Sequence, residues 1–477
     1  MDTNLIQKAY SSENFREEAY KLIDFMANRM ELAEQNLSYE TIPWTSPEEQ
    51  LKFWEEDFHL PPNDDLNHLW AQLFSHSINS RNHGYMGHQV AVPPAITTLT
   101  GAVISFLNNS TTVYELGMTA NAMEKVVLNY LADKFGYNKK STGVVTSGGS
   151  IGNLTALITA RTSCNIPEKD YHRLAILVSK EAHYSVERAA QIMGIPKDNI
   201  IKIDSNCQHQ IKISALEPAY QTAVTQGKKV FCVIGCAGTT AVGAYDDLEK
   251  IADFAEQHKL WFHVDGAHGA AVVFSDKYKH LLNGIERSDS LIVDFHKMLM
   301  APALSTAVLY NHKNKNVNEV SPSASYLWQN QQSDEWYNSA KHTLECTKPI
   351  TILHTYAILK RYGDALYQQH IDYLYDLGKT FAHIVKSRND MELAVDPECN
   401  IVCFRYHPKK ELSNNDLDAL NRYIYDTLLK DGEFYIVNTT IDNHFYLRVS
   451  LMNPLTEKDD IEQLLNEIEM IGFSKVF

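Results

Sequence analysis

The run Asp289-Ser290-Leu291-Ile292-Val293-Asp294-Phe295-His296-Lys297-Met298-Leu299-Met300 places a lysine where lysines are costly. Ser290 to Val293 read as a short buried strand, and Lys297 follows at its polar end beside His296. Desolvation disfavours an ammonium ion, and a neutral amine is a nucleophile able to form a Schiff base. Most lysines after a strand are solvated surface groups, so the weight of the reading rests on what lies upstream.

From Thr142 the chain alternates strands and helices. Gly143–Thr146, Leu174–Ser179, Ile200–Ile203, Val230–Cys236, Trp261–Asp265 and Leu291–Asp294 are apolar runs. Helical patterns at Asn153–Thr162, Val186–Met193 and Asp246–Gln257 separate them. Near-continuous Val/Ile runs between amphipathic helices describe an α/β sheet, mostly parallel and covered on both faces. In such sheets ligands bind beyond the carboxyl ends of the strands. Ser147-Gly148-Gly149-Ser150, Asp265 and Lys297 all fall at those ends. After about Thr351 a long helical pattern runs to Lys386, followed by strand Ile401–His407, helix Asn415–Leu429, strand Phe445–Leu451 and helix Glu457–Ile471. The expected organisation is a helical segment over 1–80, a large domain over 81–350 and a small α+β domain over 351–477.

Composition narrows the function. The 477 residues carry 43 Lys plus Arg against 59 Asp plus Glu, a net charge of −16. An acidic chain without a basic cluster argues against nucleic acid or an anionic membrane as partner. The start Met1-Asp2-Thr3-Asn4-Leu5 lacks the basic and apolar regions of a signal peptide. The uncharged stretch Val90–Leu107 contains Pro93-Pro94, Gly101 and several hydroxyls, and reads as a buried segment rather than a membrane span. Seven cysteines without a CxxC fit neither a disulfide framework nor a zinc site, so a reducing cytoplasm and no metal are expected.

Four fragments carry the chemistry. Ser147-Gly148-Gly149-Ser150 joins a strand to a helix, where glycines let the backbone approach an anion and the helix amino end offers free N–H groups. Ser150 also suits an N-cap. The spacing is neither a Walker motif nor GxGxxG, which disfavours nucleotide phosphate. Asp265, in Trp261-Phe262-His263-Val264-Asp265-Gly266-Ala267-His268, ends an apolar strand and needs a cationic partner such as a protonated ring nitrogen; Ala267 is small enough to lie flat on a ring. His183, in Glu181-Ala182-His183-Tyr184-Ser185, can stack on a flat cofactor or bond a substrate carboxylate. Gly238-Thr239-Thr240 adds hydroxyls at the same edge.

Taken in order, these fragments and Asp294-Phe295-His296-Lys297 resemble the fold-type I pyridoxal-phosphate enzymes. Within them they look like the group II amino acid decarboxylases: the aromatic amino acid, histidine, glutamate and 2,4-diaminobutyrate decarboxylases. The likeness runs from about Tyr20 to Tyr446–Pro454. It implies a mostly parallel seven-stranded sheet in the large domain, pyridoxal 5'-phosphate as cofactor, and decarboxylation of an L-amino acid to an amine. It further implies a homodimer with the active site at the subunit interface and the amino-terminal helices wrapped on the partner. By the same resemblance Lys297 forms the Schiff base, Asp265 holds the pyridine nitrogen, and His183 stacks opposite Ala267. Gly149, Ser150 and His296 hold the phosphate, with Thr240 and Asp294 also at the cofactor, and Tyr326 protonates the substrate carbon. Tyr85, Met86, His88 and Cys346 lie where relatives contact the substrate side chain. Tyr85 and Met86 suit an aromatic acid, while His88, Gln89 and the Asp-Phe-His-Lys run suit the diamino acid branch, so the expected side chain is polar or cationic rather than aromatic. Many relatives carry Asn-Pro-His-Lys where Asp294-Phe295-His296-Lys297 stands here, so a carboxylate beside a phosphate needs neutralising. An aminotransferase or a decarboxylating aldehyde synthase is the alternative within the same cofactor chemistry.

Overall fold

A computed structural model describes residues 5–37, 40–62, 65–164, 166–311 and 335–476. Tyr326 lies outside the described residues. The chain forms two compact units: Met1–His88 with Thr380–Ala394 and Cys403–Phe477, and Gln89–Lys379 with Val395–Val402.

The larger unit is built on seven strands: β1 (Thr142–Thr146), β2 (Leu174–Ser179), β3 (Ile200–Ile203), β4 (Lys229–Cys236), β5 (Trp261–Asp265), β6 (Ser290–Asp294) and β7 (Thr306–Tyr310). Their order is β1-β7-β6-β5-β4-β2-β3. The pairs β6–β5, β5–β4, β4–β2 and β2–β3 are parallel, whereas β7 runs antiparallel to both β1 and β6. This is the expected mostly parallel α/β sheet of fold-type I. Strands β2, β5, β6 and β7 are buried along their whole length, as their unbroken apolar runs require of a sheet covered on both faces. Val144, Leu157, Ile176, Ile234, Ile292 and Val308 share one core with Trp261.

Two expectations need correction. Val90–Leu107 is not a buried segment. It contains the helix Ala95–Leu107, which buries Thr97 and Thr100 and leaves Leu99, Val103, Leu107 and Phe106, 81 % exposed, at the surface of this chain. Freedom from charge misled the reading, because an apolar helix face can equally be left for another surface to cover. Among the described residues no helix is long and apolar enough to cross a membrane. The N-cap after β1 is Gly148, at φ 134°, with Ser150 already inside the first turn of the helix Gly149–Ser163. Only glycine adopts that φ without strain.

The smaller unit holds the amino-terminal helices and an antiparallel sheet. Ser12–Glu34 is capped by Ser11, and Pro47–Phe58 by a capping box of Ser46 and Glu49. Phe15, Tyr20, Leu51 and Phe58 are exposed on them. Strands β8 (Met391–Leu393), β9 (Ile401–Tyr406), β10 (Val437–Ile441) and β11 (His444–Ser450) lie in the order β10-β11-β9-β8. The helices Asn414–Asp431 and Lys458–Val476 belong to the same unit. Residues 82–88 are tied to its carboxy-terminal part: Met86 N–H donates to Tyr435 O at 2.9 Å, and His83 Nδ1 lies 3.2 Å from Asp460 Oδ2.

Candidate active site

Every strand of the larger unit that was expected to carry chemistry ends at one cavity of about 250 Å³. Gly149, Ser150, His183, Thr240, Asp265, Ala267, Asp294, His296 and Lys297 all line it. Strand alternation explains part of this. Asp265 is the last residue of β5 and pairs with Cys236 at the end of β4 and Ile292 in β6, which places the ends of adjacent parallel strands side by side.

The cavity has an anion-accepting side. After Gly148 the helix Gly149–Ser163 starts without a side-chain cap, and its first intrahelical bond of this turn runs from Gly152 N–H to Gly148 O at 3.0 Å. The N–H groups of Gly149, Ser150 and Ile151 therefore have no partner within the helix, and all three residues line the cavity. A Cβ on Gly149 would fall 3.2 Å from Asp294 Oδ1, so the close approach of backbone to ligand there needs glycine.

Asp294 is the unexpected charge at this side. Its carboxylate is 2 % exposed and sits 3.0 Å from Lys297 Nζ and 3.5 Å from His296 Nε2. Thr306 Oγ1 on β7 donates to its Oδ1 at 2.5 Å. The carboxylate is thus paired and hydrogen-bonded, which removes most of the repulsion that a bare aspartate would impose on a nearby anion. His296 is fixed at its other nitrogen, Nδ1, 2.8 Å from Ser305 O.

Asp265 has a different setting. It is buried, its Oδ1 accepts from Ala267 N–H at 3.2 Å, and its Oδ2 accepts from Asn153 Nδ2 at 2.9 Å. A carboxylate has about four acceptor sites, so this cavity-lining group retains capacity for a cation. His183 caps the helix Tyr184–Ile192, its Nδ1 accepting from Ser185 N–H at 3.3 Å. Burial pushes the pKa of His183 down, against the pull of the Asp265 carboxylate.

The residues expected at the substrate side chain are not among those lining the cavity. Tyr85 and Met86 are buried in the smaller unit, with the Tyr85 ring 5.8 Å from that of Tyr435, and His88 is exposed there. Burial lowers the pKa of His88, assisted by Arg448. Cys346 is exposed in the larger unit. In its loop the buried Lys348 bonds Val145 O and lies 3.6 Å from Glu124 Oε1, while Ser147 N–H donates to Glu345 Oε2 at 3.1 Å.

Asn153 and Ser185, given no role from sequence, also line the cavity. Asn153 bonds to Asp265 across 112 residues, a separation that no local pattern signals, while Ser185 bonds to His183 only two residues away. Gln89 also lines the cavity, and its Nε2 is a buried donor with no hydrogen-bond partner among the described residues. The sequence placed Gln89 beside His88 among residues suited to a diamino or polar side chain; the fold adds that Gln89 shares the cavity with Lys297.

These features fit pyridoxal phosphate: a lysine amine, a buried carboxylate with spare acceptors, cavity space beside Ala267, and helix-start N–H groups without partners in the helix. Comparison with known proteins agrees. The pyridoxal-dependent decarboxylase conserved domain matches residues 63–407. An L-aspartate decarboxylase of Metarhizium robertsii is 30 % identical over 81 % of this chain and 79 % of its own length. A cysteine sulfinic acid decarboxylase of Mus musculus is 32 % identical over 78 % of this chain and 79 % of its own. A crystal structure of mouse CSAD superposes with a TM-score of 0.88 at 25 % identity, covering 97 % of this chain and 99 % of that one. Matched over most of its length and furnished with the side chains the cofactor requires, this chain belongs to the pyridoxal-dependent decarboxylases and acts on an L-amino acid.

Proposed function

We propose that the enzyme decarboxylates an L-amino acid whose side chain is short and ends in a hydrogen-bond acceptor, with acidic amino acids first in line. The observation that carries this choice is the buried Gln89 Nε2, which has no hydrogen-bond partner among the described residues and shares the cavity with Lys297. A donor so placed is costly unless a ligand acceptor meets it. The names of the aspartate and cysteine sulfinic acid decarboxylases support the same class.

Pyridoxal phosphate supplies, when bound, a carbonyl for the substrate amine and a ring that withdraws the electron pair left by departing carbon dioxide. Lys297 would hold it through its amine, Asp265 at the ring nitrogen, and His183 and Ala267 on the two ring faces. Gly149, Ser150 and His296 would hold the phosphate, with Thr240 beside them. Asp294 keeps the Lys297 amine near the cavity by its 3.0 Å contact. His183 offers an N–H to the substrate carboxylate. Tyr326 is assigned the proton that replaces the carboxylate on the substrate carbon. Tyr85, Met86, His88 and Cys346 are held for recognition of the substrate side chain.

The exposed apolar faces of Ala95–Leu107 and of the amino-terminal helices support a homodimer with the active site at its interface, residues 1–80 serving as the dimerisation segment. The large domain then spans 81–350 and the small one 351–477, in a cytoplasmic enzyme. Carbon dioxide release from aspartate, glutamate, cysteine sulfinate, 2,4-diaminobutyrate and dihydroxyphenylalanine tests the substrate. Fastest release from an acidic member, with the amine as product, is expected. Turnover of the aromatic or the diamino acid alone would refute the choice.

A further inference from the structure

A line of hydrogen bonds joins Trp261 to His183 through side chains that are almost wholly buried. Trp261 Nε1 lies 2.8 Å from Ser290 Oγ, and Ser290 Oγ lies 2.8 Å from His263 Nδ1. His263 Nε2 lies 2.9 Å from Asn153 Oδ1. The Asn153 amide nitrogen reaches Asp265 Oδ2 and Ser185 Oγ, both at 2.9 Å. Ser185 Oγ is 2.7 Å from His183 Nδ1.

The chemistry of the donors gives the line one direction. An indole N–H only donates and a carboxylate only accepts. Asn153 therefore turns its Nδ2 to Asp265 and its Oδ1 to His263 Nε2, and the Ser290 hydroxyl, accepting from Trp261, gives its hydrogen to His263 Nδ1. A neutral imidazole that accepts at Nδ1 carries its hydrogen on Nε2, which therefore donates to Asn153 Oδ1. Both amide hydrogens of Asn153 are then used, one on Asp265 and one on Ser185. Ser185 Oγ, having accepted, donates to His183 Nδ1, and the 3.3 Å bond from Ser185 N–H meets the same nitrogen. With the Ser185 hydroxyl and N–H both directed at Nδ1, the His183 hydrogen is left on Nε2. Burial holds His263 down to about 4, so it stays neutral at ordinary pH.

We propose that His263 is a positioning residue: by holding the Asn153 amide one way round, it sets Asp265 and His183 together and decides which His183 nitrogen carries the hydrogen. The proposal rests on the reading that Asp265 and His183 grip the cofactor ring. Asn153 is the hinge of the device, since one amide group serves both of them. A His183 fixed in this way presents a donor and no lone pair at Nε2. It can bind a substrate carboxylate there but cannot take up a proton as a base.

Two amide replacements separate this role from mere space-filling. Glutamine at 263 can put an N–H where Nε2 stands, whereas asparagine reaches only the Nδ1 position. The test compares purified holoenzymes of wild type, His263→Gln, His263→Asn and Ser290→Ala, reading the cofactor dissociation constant and the visible circular dichroism of the bound cofactor. Expected is near wild-type behaviour for His263→Gln, and a cofactor affinity weakened about ten- to a hundredfold with an altered dichroic band for His263→Asn, the size usual for an outer partner of a ligand-gripping group. Ser290→Ala, a small change that frees Nδ1 to take the hydrogen, is expected to weaken binding in the same direction by a few-fold. Equal affinities for the Gln and Asn variants, or an unchanged Ser290→Ala enzyme, would overturn the proposal. A wild-type enzyme without a visible cofactor band would overturn the reading of the site itself, and the positioning role with it.

Discussion

Asp294 and Lys297 are unequal partners, and the inequality predicts which substitution costs more. Their charged atoms are 3.0 Å apart, yet the aspartate side chain is 2 % exposed and the lysine 22 %. At an effective dielectric of about 20 such a separation corresponds to roughly 5 kcal/mol of gross attraction, much of it offset by lost hydration. Lys297→Met leaves a sealed carboxylate without its cation, and should cost about 3 kcal/mol in the cofactor-stripped protein. Asp294→Asn leaves a lysine that can turn to water and keeps the Thr306 hydroxyl engaged, so about 1 kcal/mol is expected. The double variant buries no charge and should recover about 2 kcal/mol of the Lys297→Met loss. Thermal melting of the four stripped proteins in one buffer measures the ranking: wild type highest, Asp294→Asn and the double variant close together, Lys297→Met lowest. If Asp294→Asn is as destabilising as Lys297→Met, or if the two losses simply add, the ion pair is not what accommodates the buried carboxylate.

Three further outcomes are open to measurement. Asp246 is buried, and desolvation followed by the nearby Glu398 and Glu181 raises its pKa to about 7 despite backbone bonds from Ile211 and Cys236. The unfolded chain therefore releases that proton at lower pH than the folded one, and this contribution to stability, whole below about 4, is lost as pH rises through about 7; denaturant titrations across that window should show the decline, and Asp246→Asn should flatten it. Gly149→Ala should weaken cofactor binding about tenfold, or roughly 1.4 kcal/mol, with little change in melting temperature, because its methyl would crowd Asp294 Oδ1 at 3.2 Å at the helix start; unaltered binding would remove this turn from the phosphate site. Tyr326→Phe should slow amine formation about a hundredfold or more and raise the share of aldehyde in the product, whereas an unchanged amine yield would discharge Tyr326 from the reaction.

The catalytic edge of the sheet was legible because its signals are local. Strands β2 and β5 begin and end where apolar runs meet Gly, Ser or charged residues, and the chemistry-bearing side chains lie at or just beyond their ends. Strand β7, Thr306–Tyr310, was not anticipated: it is five residues long and joined to β6 with no helical pattern between them, since it runs antiparallel rather than through a crossover. The helix Ile213–Thr225 was missed for its internal Pro218, which reads as a breaker although it sits near the first turn. Asn153 and His263 carry no signal of their joint role, because their hydrogen bonds span more than a hundred residues and exist only once β1, β5 and β6 are in register.

Strand β1 touches the sheet through β7 alone. The turn after β1 that begins with Gly148 is made early in synthesis, but its anchoring strand is translated some 160 residues later. A nascent chain halted before Tyr310 has the aspartate of β5 and no seated glycine turn. Such long-range closure is slow and is completed late. Capture of the vitamin-derived cofactor by chains released at successive lengths would thus chart the moment at which β7 slots in, and truncations ending before it should remain colourless.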